Sequence, residues 1–183
     1  MTIFYQALLA NHGTKAHICG MKNNSYLRIS LYAQLLLAVY FQLINWFSLG
    51  HWNYQPGFVP IVDSDKIEFG SIGLVSLFLL PFLVYLLAYR KHWILLLWIG
   101  TVGYSVWLIF QIQNWWIPYL FGASQHWHDV YYRVFAQSTK ILSSFGNHLA
   151  PDAMHLTIQI LLVVVVVYSV VGLIKLRQQK KTT

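Results

Sequence analysis

Four stretches of the chain, residues 27–49, 70–89, 93–112 and 153–174, are long and apolar and carry no Asp, Glu, Lys or Arg in their middle. A helix needs roughly 20 such residues to cross the hydrocarbon core of a bilayer, about 30 Å thick. Arg28 sits at the opening of the first stretch, where a long basic side chain reaches back to the headgroups. Few folds tolerate four such segments in so short a chain. The expected architecture is an all-α integral membrane protein with four transmembrane helices in a bundle.

The balance of the remaining residues supports this reading. Hydrophobic residues make up 57% of the 183, and charged residues only 9%, against about a quarter in an ordinary soluble domain. So little charge leaves most of the surface to be solvated by lipid. The formal charge is +7, but the basic residues flank the apolar stretches and form no continuous face. They are read as topology determinants and headgroup contacts, with no nucleic-acid partner expected.

Their distribution orients the chain. Lys15, Lys22 and Arg28 flank the start of the first span. Arg90 and Lys91 fill the connection between the second and third, and Lys175, Arg177, Lys180 and Lys181 follow the fourth. In a four-pass arrangement all of these share one side. The other side holds Lys66, Arg133 and Lys140, with all the acids: Asp63, Asp65, Glu68, Asp129 and Asp152. The positive-inside rule then places both termini in the cytoplasm. Residues 1–26 form a cytoplasmic segment, 27–175 the membrane domain and 176–183 a basic cytoplasmic tail. The expected location is a cell membrane, by size and simple topology the inner (cytoplasmic) membrane of a bacterium.

The first 20 residues show no clear pattern, and residues 3–10 are too short to span and lack a basic flank, so no signal peptide is expected. Met21, followed by Lys22 and leading to Arg28, resembles a natural start, so translation is expected to begin there. An intact mass beginning at Met1 would refute it. Cys19 is the single cysteine, which rules out an internal disulfide or a paired-thiol redox centre.

Apolar helices in lipid associate through small residues and buried polar groups. Gly100, Gly103 and Ser105 in the third span, and Ser169 and Gly172 in the fourth, are the candidates for close approach. Pro81 is expected to kink the second span. The run 163–167, all valine, reads as a helix wall. Trp46, Trp52, Tyr89, Trp93, Trp115, Trp116 and Tyr119 fall near the span ends, as an interfacial aromatic belt requires.

Polar residues within the spans gather toward the outer ends, except Gln34, which lies deeper. Gln34, Gln42 and Asn45 lie at helical spacing in the first, Gln111 and Asn114 in the third, and Asp152, His155 and Gln159 in the fourth. An amide buried without a partner costs several kcal/mol, so these side chains are expected to face a shared polar cavity in the outer half of the bundle. Above it lies the long third-to-fourth connection, 113–152. Its aromatic start, Trp115 to Phe121, is expected to form a lid. Residues 125–142 are expected to form an amphipathic surface helix with Trp127, Tyr131, Val134 and Phe135 on its apolar face. Asp152 is placed to cap the fourth span.

The leading expectation is a protein that binds a partner protein or a small ligand through Gln42, Asn45, Gln111, Asn114, Trp115, Trp116, His155 and Gln159. A metal-dependent membrane enzyme is the alternative, with His126, His128, His148, Asp152 or His155 as zinc or copper ligands. Against it, His126 and His128 are two apart and diverge on a helix. A small subunit of a transporter complex is a third reading. Haem is not expected, because no histidine lies mid-span. An ion-coupled carrier is disfavoured by the absence of a buried acid or base. No cofactor is indicated.

Overall fold

The computed structural model describes residues 24–54, 72–73, 76 and 79–182, with side chains to residue 179. Cys19, Met21, the acidic segment carrying Asp63, Asp65 and Glu68, and residues 70–71, 74–75 and 77–78 of the expected second span lie outside the described residues. Five α-helices are described: α1 Ser25–Trp46, α2 Leu80–Lys91, α3 Ile94–Phe121, α4 Gln125–Val134 and α5 Ala153–Thr182. A short 3-10 turn, Gly50–Trp52, follows α1. Among the described residues, three helices are long and apolar enough to cross a membrane: α1, α3 and α5, the last over Ala153–Gln179.

Helix ends follow local chemistry. The Asn24 side chain accepts from the Leu27 N–H at 3.2 Å and caps α1. Its other end stops at Trp46 because Asn53 folds back, accepting from Leu49 N–H and donating to the Ile44 and Phe47 carbonyls at 2.7 and 2.8 Å. That side chain satisfies carbonyls which the helix end leaves without partners. Pro81 falls in the first turn of described α2, where a missing N–H removes no helical bond. The α2–α3 connection is a tight reversal through His92, a C-cap in the left-handed region at φ 59°.

The helix expected as the third span, α3, departs from expectation. It runs to Phe121, past the expected end at residue 112, with Pro118 inside the helix. Pro118 cannot donate to the carbonyl of Asn114, and Asn114 is exposed. The surface helix is shorter than expected, ending at Val134, where Phe135 caps it and the chain turns. α5, expected as the fourth span to residue 174, continues as helix to Thr182.

α1 and α5 pack antiparallel along their length. Asn24 Nδ2 donates to the Gly172 carbonyl (2.9 Å), Ser30 Oγ to the Val165 carbonyl (3.2 Å), and Tyr40 OH to the Met154 carbonyl (3.4 Å). The approach is close because Gly172 has no side chain. A Cβ there would lie 2.8 Å from Leu27 side-chain carbons and 3.1 Å from the Leu27 nitrogen. Gly100 plays the same part between α3 and α2, where the Tyr85 ring fills the space and would meet a Cβ at 2.7 Å. Gly103 faces open space, and Ser105 bonds back to its own helix at Thr101.

The bundle buries polar groups and exposes apolar ones. Ser30 and Ser169 hydroxyls meet at 2.6 Å, Gln34 Nε2 donates to Ser30 Oγ (3.1 Å), and Tyr85 OH donates to Ser169 Oγ (3.0 Å), all buried. Outward lie Leu36, Val39, Leu95, Ile99, Val102, Val106, Ile160, Val163 and Val167. Exposed apolar faces on every long helix suit a hydrocarbon solvent. In the valine run, Val165 is buried while Val163 and Val167 are exposed.

The two ends of the bundle differ. At one, Arg28 and Arg90 line a common groove and Lys175 Nζ donates to Tyr26 OH at 2.9 Å. The other carries α4, Trp115, Trp116 and the 135–152 connection. That connection is tied down: Thr139 N–H donates to the His51 carbonyl and Ala153 N–H to the Thr139 carbonyl, both 2.8 Å.

Candidate functional site

The α5 start is built on Asp152, which is fully buried. Its carboxylate accepts from the His155 N–H at 2.7 Å, the N-cap bond expected from the sequence. It also lies 2.8 and 3.0 Å from His155 Nδ1. A carboxylate only accepts, so Nδ1 carries a proton, and when the ring is neutral Nε2 is its acceptor. Ser138 Oγ lies 3.3 Å from the same carboxylate.

Lys140 adds a positive charge nearby. It pairs with Asp152 through an isolated β-bridge, and its ammonium donates to the Phe135 carbonyl and to Ser138 Oγ. The ammonium also lies 4.6 Å from the centre of the Tyr131 ring. Burial pushes the Lys140 pKa down, and the Asp152 charge opposes that shift. Burial pushes the Tyr131 phenol up, and its OH donates to the Ala150 carbonyl at 2.8 Å.

Aromatic rings fix the histidine from the other side. Trp115 is buried and its ring centre lies 4.1 Å from that of His155; Phe135 meets His155 edge-on at 5.4 Å. Trp115 also packs against Tyr131 and Trp127, joining α3, α4 and α5. The apolar face expected of α4 is therefore used, through Trp127, Tyr131 and the capping Phe135.

His155 opens on a cavity of about 170 Å³ between α1 and α5, lined by Phe41, Ile44, Asn45, Asn53, Met154 and Ile158. Ligand pockets for drug-sized molecules are larger, about 300–1,000 Å³, while about 150 Å³ accommodates benzene. The space therefore suits a small solute or one end of a larger molecule. Its walls are apolar except for Asn45, Asn53 and His155. Asn53 is committed to capping α1, and Asn45 Nδ2 donates to the Phe41 carbonyl at 2.6 Å. His155 Nε2, the Asn45 carbonyl oxygen and the second Asn45 Nδ2 hydrogen are the polar groups with bonding capacity to offer.

The expected cavity is thus partly assembled. Asn45 and His155 share it, and Trp115 supports it. Trp116 and Gln159 meet next to it, with Trp116 Nε1 donating to Gln159 Oε1 at 2.7 Å. Gln159 Nε2 and Gln111 Oε1 are buried without hydrogen-bond partners. Gln42 accepts from Trp46 Nε1 on its own helix at 3.0 Å. Asn114 is exposed and lines no cavity with the others. The lid expected over Trp115 to Phe121 is instead the last two turns of α3, because the segment continues the helical hydrogen bonding around Pro118.

The expected metal ligands are not gathered. His126 is exposed, His128 packs on Tyr132 with ring centres 4.5 Å apart, and His148 places Nδ1 2.8 Å from the Tyr119 carbonyl while stacking on Phe145 at 4.4 Å. Asp152 is engaged by His155 alone among them. Among the described residues, no three His, Cys, Asp or Glu side chains are placed to share an ion.

Phe41, Ile44, Met154 and Ile158 form the pocket walls, and Ser138 and Lys140 the polar support behind Asp152. The walls were hidden among many equivalent apolar residues. The 138–140 contribution depends on a bridge between segments twelve residues apart, for which no periodic signal exists. Comparison with protein-family models, curated proteins and solved structures returned no match.

Proposed function

We propose that this is a four-span membrane protein of a bacterial cytoplasmic membrane, with both termini inside, that binds a small ligand in the His155 pocket at its outer end. The orientation is supported by the gathering of Arg28, Arg90 and Lys175 at one end of the bundle, as the positive-inside rule favours for the cytoplasmic side. A fourth span is supported by helical residues at 72, 73 and 76 preceding α2.

The observation that carries the ligand reading is the His155 ring, clamped by buried Asp152 through Nδ1 and by Trp115 against its face, while bordering an apolar cavity. A fixed tautomer leaves Nε2 to accept a hydrogen bond from the ligand. The ligand class is a small molecule with an apolar body and a hydroxyl or N–H donor. The test is mass spectrometry of small molecules retained by the protein extracted in mild detergent, compared with His155→Leu. A compound retained by the native protein and lost from the variant, and shifting the His155 ring ¹⁵N resonances when added back, supports the reading. An empty native protein whose ring resonances ignore a panel of small alcohols, phenols and amides overturns it.

The carboxylate-oriented imidazole favours a second reading, in which His155 is a general base acting on the bound molecule. Turnover of the retained compound, with a pH profile following one histidine, distinguishes it from simple binding.

A further inference from the structure

A second concave site lies at the opposite end of the bundle, apart from the His155 pocket. It is a groove of about 370 Å³ between α1 and α2, with Arg28 and Arg90 at one end and Leu31, Leu35, Phe82 and Leu86 along its length. The spacing explains its shape. Arg28, Leu31 and Leu35 follow one another on a single face of α1, as do Phe82, Leu86 and Arg90 on α2. The helical rise from Arg28 to Leu35 carries the groove about 10 Å toward the middle of the bundle, at about 1.5 Å per residue.

Two arginines from different helices therefore converge at one end of an apolar channel. Among the described residues neither forms an ion pair, and the acids in the described residues, Asp129 and Asp152, belong to the opposite end. Both guanidiniums are exposed. An arginine cannot shed its charge, and its planar fork matches phosphate oxygens in pairs. Neutralising this pair calls for an anion, and the groove beneath calls for hydrocarbon. We infer that the groove holds one anionic phospholipid, its headgroup phosphate between Arg28 and Arg90 and an acyl chain along Leu31, Leu35, Phe82 and Leu86.

Charge complementarity and the apolar continuation commit the site to a lipid, since a free phosphate would use only the arginines. The site is independent of the His155 reading, and either can fail alone.

Native mass spectrometry of the full chain in detergent tests it, with phosphatidylglycerol and phosphatidylcholine as probes. One phosphatidylglycerol per chain should survive collisional activation that strips phosphatidylcholine. Arg28→Gln and Arg90→Gln should each weaken that adduct roughly tenfold, the scale of one charge-assisted contact. Leu35→Trp, which fills the apolar part and leaves both arginines, should weaken it comparably and serves if the arginine variants fail to fold. Equal retention of the two lipids overturns the proposal. So does indifference to Leu35→Trp, or displacement of the lipid by millimolar inorganic phosphate, which would mark a simple anion site.

Discussion

Replacing Asp152 separates its two roles. As an N-cap it bonds the His155 amide, and loss of such a cap costs about 0.5–2 kcal/mol. As a charge it holds His155 Nδ1 at 2.8 Å, and a hydrogen bond involving an ionised partner contributes about 1.5–3 kcal/mol. Asp152→Ala removes both, for an expected loss of roughly 2–5 kcal/mol. Asp152→Asn keeps a good cap but replaces an acceptor with an amide, so the loss should fall to about 1–3 kcal/mol. The oxygen that keeps the cap, Oδ1, also lies 2.8 Å from Nδ1, so the ring keeps its Nδ1–H tautomer and loses only the second contact, where the amide nitrogen replaces Oδ2. Removing the charge also withdraws the one influence that raises the Lys140 pKa against burial, so that group should titrate lower still. The assay is reversible unfolding in mixed micelles for each variant, joined to ¹⁵N spectra of the histidine ring. Unfolding free energies within about 0.5 kcal/mol of native for both variants, with the ring ¹⁵N resonances of Asp152→Ala unchanged, would refute the assignment of Asp152 as the anchor of this end of the molecule.

Gly172→Val should destabilise the bundle by about 1–3 kcal/mol through overpacking against Leu27, measured in the same micelle unfolding assay. Gly103→Val, where a side chain meets nothing within 4 Å, is the matched control and should change little. His92→Gly should stabilise the α2–α3 reversal by about 1 kcal/mol, because a non-glycine residue at φ 59° is strained; no gain in unfolding midpoint would count against that conformation. For Lys140, a folded pKa below the ordinary 10.5 means the unfolded chain binds the extra proton in that interval. Its contribution to stability therefore rises with pH from the lowered value up to the ordinary one. Lys140→Met should abolish that component of the alkaline profile, as read by unfolding midpoints across the range.

Much of the scaffold was legible in the order of residues alone. The long uncharged stretches announced α1, α3 and α5, since a continuous run of apolar residues suits a helix, whereas barrel strands alternate apolar and polar residues. Gly172 and Ser169 were identifiable as contact residues because small side chains are what lets apolar helices meet in lipid. Asp152 could be read as a cap from its place ahead of an apolar run, and the aromatic segment around Trp115 as ordered from its composition. Less legible was where α3 stops: a proline and a cluster of aromatic residues suggest a loop, yet tertiary contacts of Trp115 and Trp116 with α4 and α5 carry the helix on to Phe121.

What the sequence by itself determined is which helices are long and apolar enough to cross a membrane, α1, α3 and α5 among the described residues, because hydropathy and the period of the helix are properties of neighbouring residues. Which polar side chains meet was decided by the tertiary structure. Gln42 and Asn114 have the same composition signal as Asn45 and Gln159, but the rotation of each helix about its axis sends the first pair to their own helix or to the surface. The histidines show the same dependence. His155 gains a carboxylate, a tryptophan face and a cavity, while His126, His128 and His148 are dispersed. Those partners come from Asp152, Trp115 and α1, residues brought together only when three helices and a bridged loop close around them, and no local pattern in the chain encodes that convergence.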